Sequence, residues 1–122
     1  MTIQTAILTD IETSAVTTLS NNVSYIGVGT GTSTAVVTDT QLDGETYREA
    51  IFTSASTANI FTTALYLDVT ENNGNSIGEI GAFTSSSGVI MVSRNLTTVS
   101  TKTTSKEFYY DIKYTINATN NN

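Results

Sequence analysis

The clearest periodicity in the chain lies near its C-terminal end, where Phe108, Tyr110, Ile112, Tyr114 and Ile116 alternate with Tyr109, Asp111, Lys113 and Thr115. A period of two sends successive side chains to opposite faces of a strand, so one face of this segment must meet a core. The same period runs through Phe61, Thr63, Leu65, Leu67 and Val69, interleaved with Thr62, Ala64, Tyr66, Asp68 and Thr70. Residues 71–76, ENNGNS, predict a hairpin connection, because Asn-Gly supplies the positive φ that tight hairpin turns need. Its partner strand is expected over Ile77–Phe83, with Gly78 and Gly81 marking a bulge or a backbone passing close. A turn at Ser85–Gly88 then leads to a short apolar strand over Val89–Arg94, continuing a meander. The segment 95–106 has Leu96 and Val99 as its large apolar groups and reads as a long exposed crossing or an edge strand. The polar residues 117–122 are expected to fray.

The N-terminal half is less regular. Leu8, Ile11, Ala15 and Leu19 fall at three- and four-residue steps, which predicts a short amphipathic helix. Thr9 or Asp10 would accept its first amide hydrogens. The poor helix formers Thr13, Thr17 and Thr18 leave a strand as the alternative. A turn at Asn21–Asn22 precedes a strand over Val23–Val28, with Val23, Tyr25 and Gly27 expected on one face. Gly27, Gly29 and Gly31 lack a Cβ and suit a structural corner or a close backbone approach. They do not make a phosphate loop, since neither GxGxxG spacing nor a following Lys-Ser/Thr is present. Residues 38–45, TDTQLDGE, predict a helical or Asx-type turn. Asp39, Asp43 and Glu45 within it are weak candidates for a calcium site, although their spacing does not match an EF-hand loop. The reading is a mainly all-β chain: an antiparallel β-sandwich with one short N-terminal helix or helical turn, forming a single domain over 1–122.

Composition narrows the chemistry. The chain has 122 residues with no His and no Cys, which removes the usual general base, the thiolate nucleophile and the common zinc ligands. Paired carboxylates are the remaining catalytic device, but the acids fall in turns and solvent-facing positions, so neither an enzyme nor a cofactor is expected. A net charge of -6 argues against nucleic acid as a partner, because that affinity comes from clustered Lys and Arg. Lys102, Lys106 and Lys113 are expected to pair locally with Glu107 and Asp111. No run approaches the ~20 apolar residues of a membrane span and the N-terminus lacks a signal pattern, so a soluble protein with no membrane partner is expected. The Asn-x-Ser/Thr tripeptides at Asn22, Asn95 and Asn117 are expected from a Thr/Ser/Asn-rich background rather than from glycosylation. Tyrosine supplies 6 of the aromatic residues against 4 phenylalanines. Core and rim packing is the leading reading for them, with Tyr109, Tyr114, Leu96 and Val99 as interface candidates.

Several of these residues also form a longer pattern. Tyr25–Thr32 ends in a glycine loop; Asp39, Thr40, Leu42 and Glu45 give D-T-x-L-x-x-E, with Arg48 following. Glu79, Gly81 and Phe83 give E-x-G-x-F, Gly88 and Arg94 give G-x-x-x-x-x-R, and the alternating run Phe108–Ile116 closes the pattern. This arrangement resembles a family of small structural proteins of tailed viruses and prophages, found as head- or tail-associated virion components. The chain departs from it in lacking a proline after the glycine loop. The resemblance implies a virion protein on the particle exterior, made in the host cytoplasm, with no catalytic residue. It implies self-association, with a trimer favoured, and contact with a major capsid protein or a tail protein. Capsid decoration is the leading placement and a tail-fibre or attachment component the next. Alternatives are a glycan-binding receptor-recognition module using Tyr25, Tyr47, Tyr66 and Tyr109, and a subunit of an extracellular filament.

Overall fold

A computed structural model describes residues 3–88 and 90–119, the side chains of 3–7 excepted. It consists of one helix, α1 (Ile3–Asn22), and seven strands: β1 (Tyr25–Gly29), β2 (Glu45–Ala50), β3 (Thr53–Thr57), β4 (Ile60–Leu67), β5 (Ser76–Phe83), β6 (Met91–Thr101) and β7 (Phe108–Thr115). The strands form two antiparallel sheets, one ordered β2-β1-β5-β6 and the other β3-β4-β7. This is the mainly β, sandwich-like architecture with a single N-terminal helix that the sequence predicts.

The core lies between the inward faces. Ile26 and Val28 of β1, Ile77, Ile80 and Ala82 of β5, Phe61, Leu65 and Leu67 of β4, and Ile112 of β7 are all buried there. The predicted alternation of β4 and β7 holds: Phe61, Leu65 and Leu67 stand opposite Tyr114, Tyr110 and Phe108 on the inner side, while Tyr66 stands opposite Tyr109 outside. In β1 the core is met by Ile26 and Val28 rather than by Tyr25 and Gly27, and Val23 is buried before the strand begins.

Helix α1 is longer than its predicted stretch. Leu8, Ala15 and Leu19 face inward as expected, joined by Glu12 and Val16, whereas Ile11 is exposed. Glu12 belongs on that side because its Oε2 accepts a hydrogen bond from the Ala118 N–H. The threonines that weakened the helical reading are accommodated by bonding back along the helix: Thr17 and Thr18 hydroxyls donate to the carbonyls of Thr13 and Ser14.

Three expectations are corrected. The ENNGNS segment is not a hairpin, because β4 and β5 belong to different sheets. Asn72 and Gly74 take positive φ, and the segment bends toward Lys102: the Gly74 N–H donates to the Lys102 carbonyl and the Lys102 N–H to the Asn75 carbonyl. Lys102 is itself fully buried and its Nζ donates to Asn73 Oδ1 and the Thr103 carbonyl, so it ties down this crossover instead of pairing with an acid. Among the described residues every ion pair is made by an arginine. The chain end is also tied, through Ile116 N–H to the Asn59 carbonyl and Ala118 N–H to Glu12. Residues 120–122 of the expected frayed tail, and Val89 at the start of the expected apolar strand, lie outside the described residues.

Candidate functional site

The segment joining β1 to β2 folds over the outer face of β5 and β6, and one buried acid holds it there. Glu79 is completely buried. Its Oε2 accepts from the backbone N–H of Gly31 at 2.8 Å and of Gly44 at 2.8 Å. Its Oε1 accepts from the Asp43 N–H at 2.9 Å and from Arg94 Nε at 2.8 Å. A buried carboxylate without such donors would be strongly destabilising. Burial alone would raise its pKa, but Arg94 and the three amides outweigh that and hold the carboxyl below its ordinary value.

Arg94 completes the network. Its remaining nitrogens reach Asp39 Oδ2 at 3.1 Å, Asp43 Oδ2 at 3.2 Å and the Ser33 carbonyl at 2.9 Å, so the guanidinium fastens the crossing segment at three points. Asp43 also accepts from the Ser33 hydroxyl, and Asp39 from the Val36 N–H. The glycines are required by this closeness: a Cβ on Gly29 would sit 2.6 Å from both Glu79 Oε2 and the Gly44 carbonyl, and one on Gly31 2.5 Å from Glu79 Oε2. Leu42 is buried against Gly81, where a Cβ would meet it at 2.9 Å.

A second arginine secures the same face of the sheet further toward β2. Arg48 lies over the Phe83 ring at 3.5 Å, pairs with both oxygens of Glu45, and donates to the carbonyls of Ser85 and Gly88. Gly27 leaves room for that stack, since its Cβ would lie 2.8 Å from Phe83. The three weak calcium candidates are thereby divided: Asp39 and Asp43 bond to Arg94 and Glu45 to Arg48. Among the described residues no group of three or more Asp or Glu is placed to hold a metal ion.

Fastening the crossing segment creates a surface. Val36 and Val37 project from it, and beside them stand Ile90 and, along β6, Val92, Leu96 and Val99, all exposed. A depression of about 320 Å³ between Ala35–Val37 and Met91–Arg94 lies within this strip. Of the four interface candidates, Leu96 and Val99 lie on this strip. Tyr109 is exposed on the opposite sheet, while Tyr114 turns inward to stack on Phe61 and bonds through its hydroxyl to Ser93. Sequence reasoning missed Val36, Val37, Ile90 and Val92 as surface groups, because only the fold shows that their neighbours face away from the core. No family model, curated protein or solved structure matches the chain.

A third polar cluster sits where β2 meets the 68–75 crossover. The Tyr47 hydroxyl donates to Glu71 at 2.5 Å and faces Glu49 at 3.2 Å. Partial burial, then the hydrogen bond and charge of Glu71, push the Glu49 carboxyl up to about 7, while Glu71 is held below its ordinary value mainly by the hydrogen bond from Glu49. The pair thus shares a proton below neutral pH.

Two predictions follow from these clusters. Glu79→Gln keeps the shape but turns an amide NH2 toward two donors whichever way it flips, so a loss of about 3–5 kcal/mol is expected in urea unfolding. A loss under about 1 kcal/mol would contradict the role assigned to this acid. For Glu49, a folded pKa near 7 lies above the ~4.3 of an unfolded Glu, so its contribution to stability is full at low pH and is lost as pH rises through 7. Glu49→Gln should therefore be the more stable protein at pH 8, by about 1 kcal/mol after solvent screening, and match the parent near pH ~4.5. Thermal melts at the two pH values measure this, and equal melting temperatures at pH 8 would contradict it.

Proposed function

We propose that the protein is a non-enzymatic structural subunit that works by self-association through the β6 face, as a component of a virion shell. The observation that carries this reading is the character of β6. It is an edge strand of eleven residues, and its one charged residue, Arg94, is buried. Soluble proteins usually protect such an edge with charges, proline or shortness. The other edges here follow that rule: β2 carries Glu45, Arg48 and Glu49, β3 is only five residues long, and β7 carries Asp111 and Lys113.

The apolar strip of Val36, Val37, Ile90, Val92, Leu96 and Val99 gives the same edge a hydrophobic flank. An exposed apolar patch beside an unprotected strand suits pairing with a second subunit, in which backbone hydrogen bonds add to apolar burial. A closed ring of such contacts, for which a trimer is the favoured count, would satisfy every copy of the edge. The resemblance noted in the sequence supplies the setting: capsid decoration first, with a tail-associated role as the alternative placement. The absence of His and Cys, and the engagement of Asp39, Asp43, Glu45 and Glu79 by arginines and amides, support the non-enzymatic part.

Light scattering tests the reading. The parent chain is expected to form a defined oligomer at micromolar concentration, and Leu96→Lys combined with Val99→Lys is expected to give a folded monomer, since both side chains are exposed. A parent chain that stays monomeric at high concentration, or a double variant with unchanged mass, would overturn it.

A further inference from the structure

The outer face of the three-stranded sheet carries a different kind of surface. Phe52, just before β3, is 62% exposed and Tyr109 on β7 is 52% exposed. The Phe52 ring lies 5.3 Å from that of Tyr66 and meets Tyr109 edge-on at 6.2 Å, so the three form one cluster. Beside it runs a shallow depression of about 90 Å³ bordered by Thr53, Ser54, Ala55, Thr62, Tyr109 and Asp111. This face presents aromatic rings, hydroxyls and a carboxylate, with Ala55 exposed among them and Ala64 buried beneath. It is thus unlike the valine- and leucine-lined strip of β6.

We infer that this face binds a neutral saccharide, one sugar ring lying on the aromatic cluster with its hydroxyls bonded to Asp111 and to the threonine hydroxyls. The chemistry selects that occupant. A pyranose has an apolar face of C–H bonds, slightly positive, which suits the negative face of an aromatic ring. Its rim of hydroxyls needs acceptors, and a carboxylate is the strongest that a side chain offers. Asp68, Glu107 and Asp111 outnumber Lys113 around the face, which disfavours anionic sugars. The hydrogen bond to Glu107 at Tyr66, and desolvation together with Asp111 at Tyr109, raise both phenol pKa values. A protein partner would require a far larger interface, of roughly 800 Å² a side, with an apolar centre. Tyr47 takes no part, because its hydroxyl is held by Glu71 and Glu49.

The test is independent of the self-association reading, since Tyr109 and Asp111 lie on the other sheet. Methyl glycosides of glucose, galactose, mannose and N-acetylglucosamine, and their short oligomers, are titrated into the parent protein by saturation-transfer NMR. With no Trp in the chain, tyrosine emission gives a second signal. Binding of at least one probe in the millimolar range is expected, with ring C–H protons most saturated. Tyr109→Ala should weaken it about tenfold, and Asp111→Asn several-fold, whereas the Leu96→Lys, Val99→Lys double variant should leave it unchanged. No saturation transfer from any probe, or binding that survives both Tyr109→Ala and Phe52→Ala, would overturn the inference. So would a Tyr109→Ala variant whose effect is a change of oligomeric mass with no saccharide effect, which would make the face a contact between copies.

Discussion

A carboxylate removed from water must be met by donors on every side, and the rest of this structure is arranged around that requirement at Glu79. Its four donors come from three separate parts of the chain: Gly31, the Asp43–Gly44 pair, and Arg94 on the neighbouring strand. Satisfying them draws residues 30–44 across the outer face of a sheet that would otherwise be open. The glycines, Leu42 and the two aspartates on Arg94 have their positions because of this closure. A buried ion pair adds little net stability over an apolar equivalent, but losing one member is costly, so the network acts mainly to specify where the crossing segment lies.

That specification links the fold to the surface. Val36 and Val37 are exposed between Ser33 and Asp39, both bonded to Arg94, so the arginine sets where they stand beside β6. The positions that make up the longer sequence pattern meet in space for the same reason. Asp39, Glu79 and Arg94 form one cluster, Glu45, Arg48 and Phe83 the other, and Gly27 and Gly81 make the room. Their spacing is what two arginine-centred closures on one sheet demand.

Where burial was periodic, the fold was legible. Phe108–Thr115 and Ile60–Leu67 alternate because each has one face in the core, and both strands could be read directly. β3 could not, since Thr53–Thr57 is exposed on all five residues and has no apolar face to read. β2 was hidden likewise, its charged residues serving Phe83 and Glu71 across the sheet rather than a core. The ENNGNS turn was recognised as a turn but given the wrong partner, because local chemistry sets φ and not the sheet to which the chain returns. Glu79 and Arg94 were visible as residues, but their roles depend on contacts 15 to 61 positions apart, which no local pattern encodes.

The most direct measurement is native-state hydrogen exchange at the amides of Gly31, Asp43 and Gly44. All three lie in or beside a connecting segment that would ordinarily exchange quickly. If their hydrogens are held by Glu79, they should be protected to the level of the β5 core amides, and that protection should collapse in Arg94→Met. Exchange as fast as that of Ser85–Ser87, or protection unchanged in the variant, would contradict the organising role given to this one carboxylate.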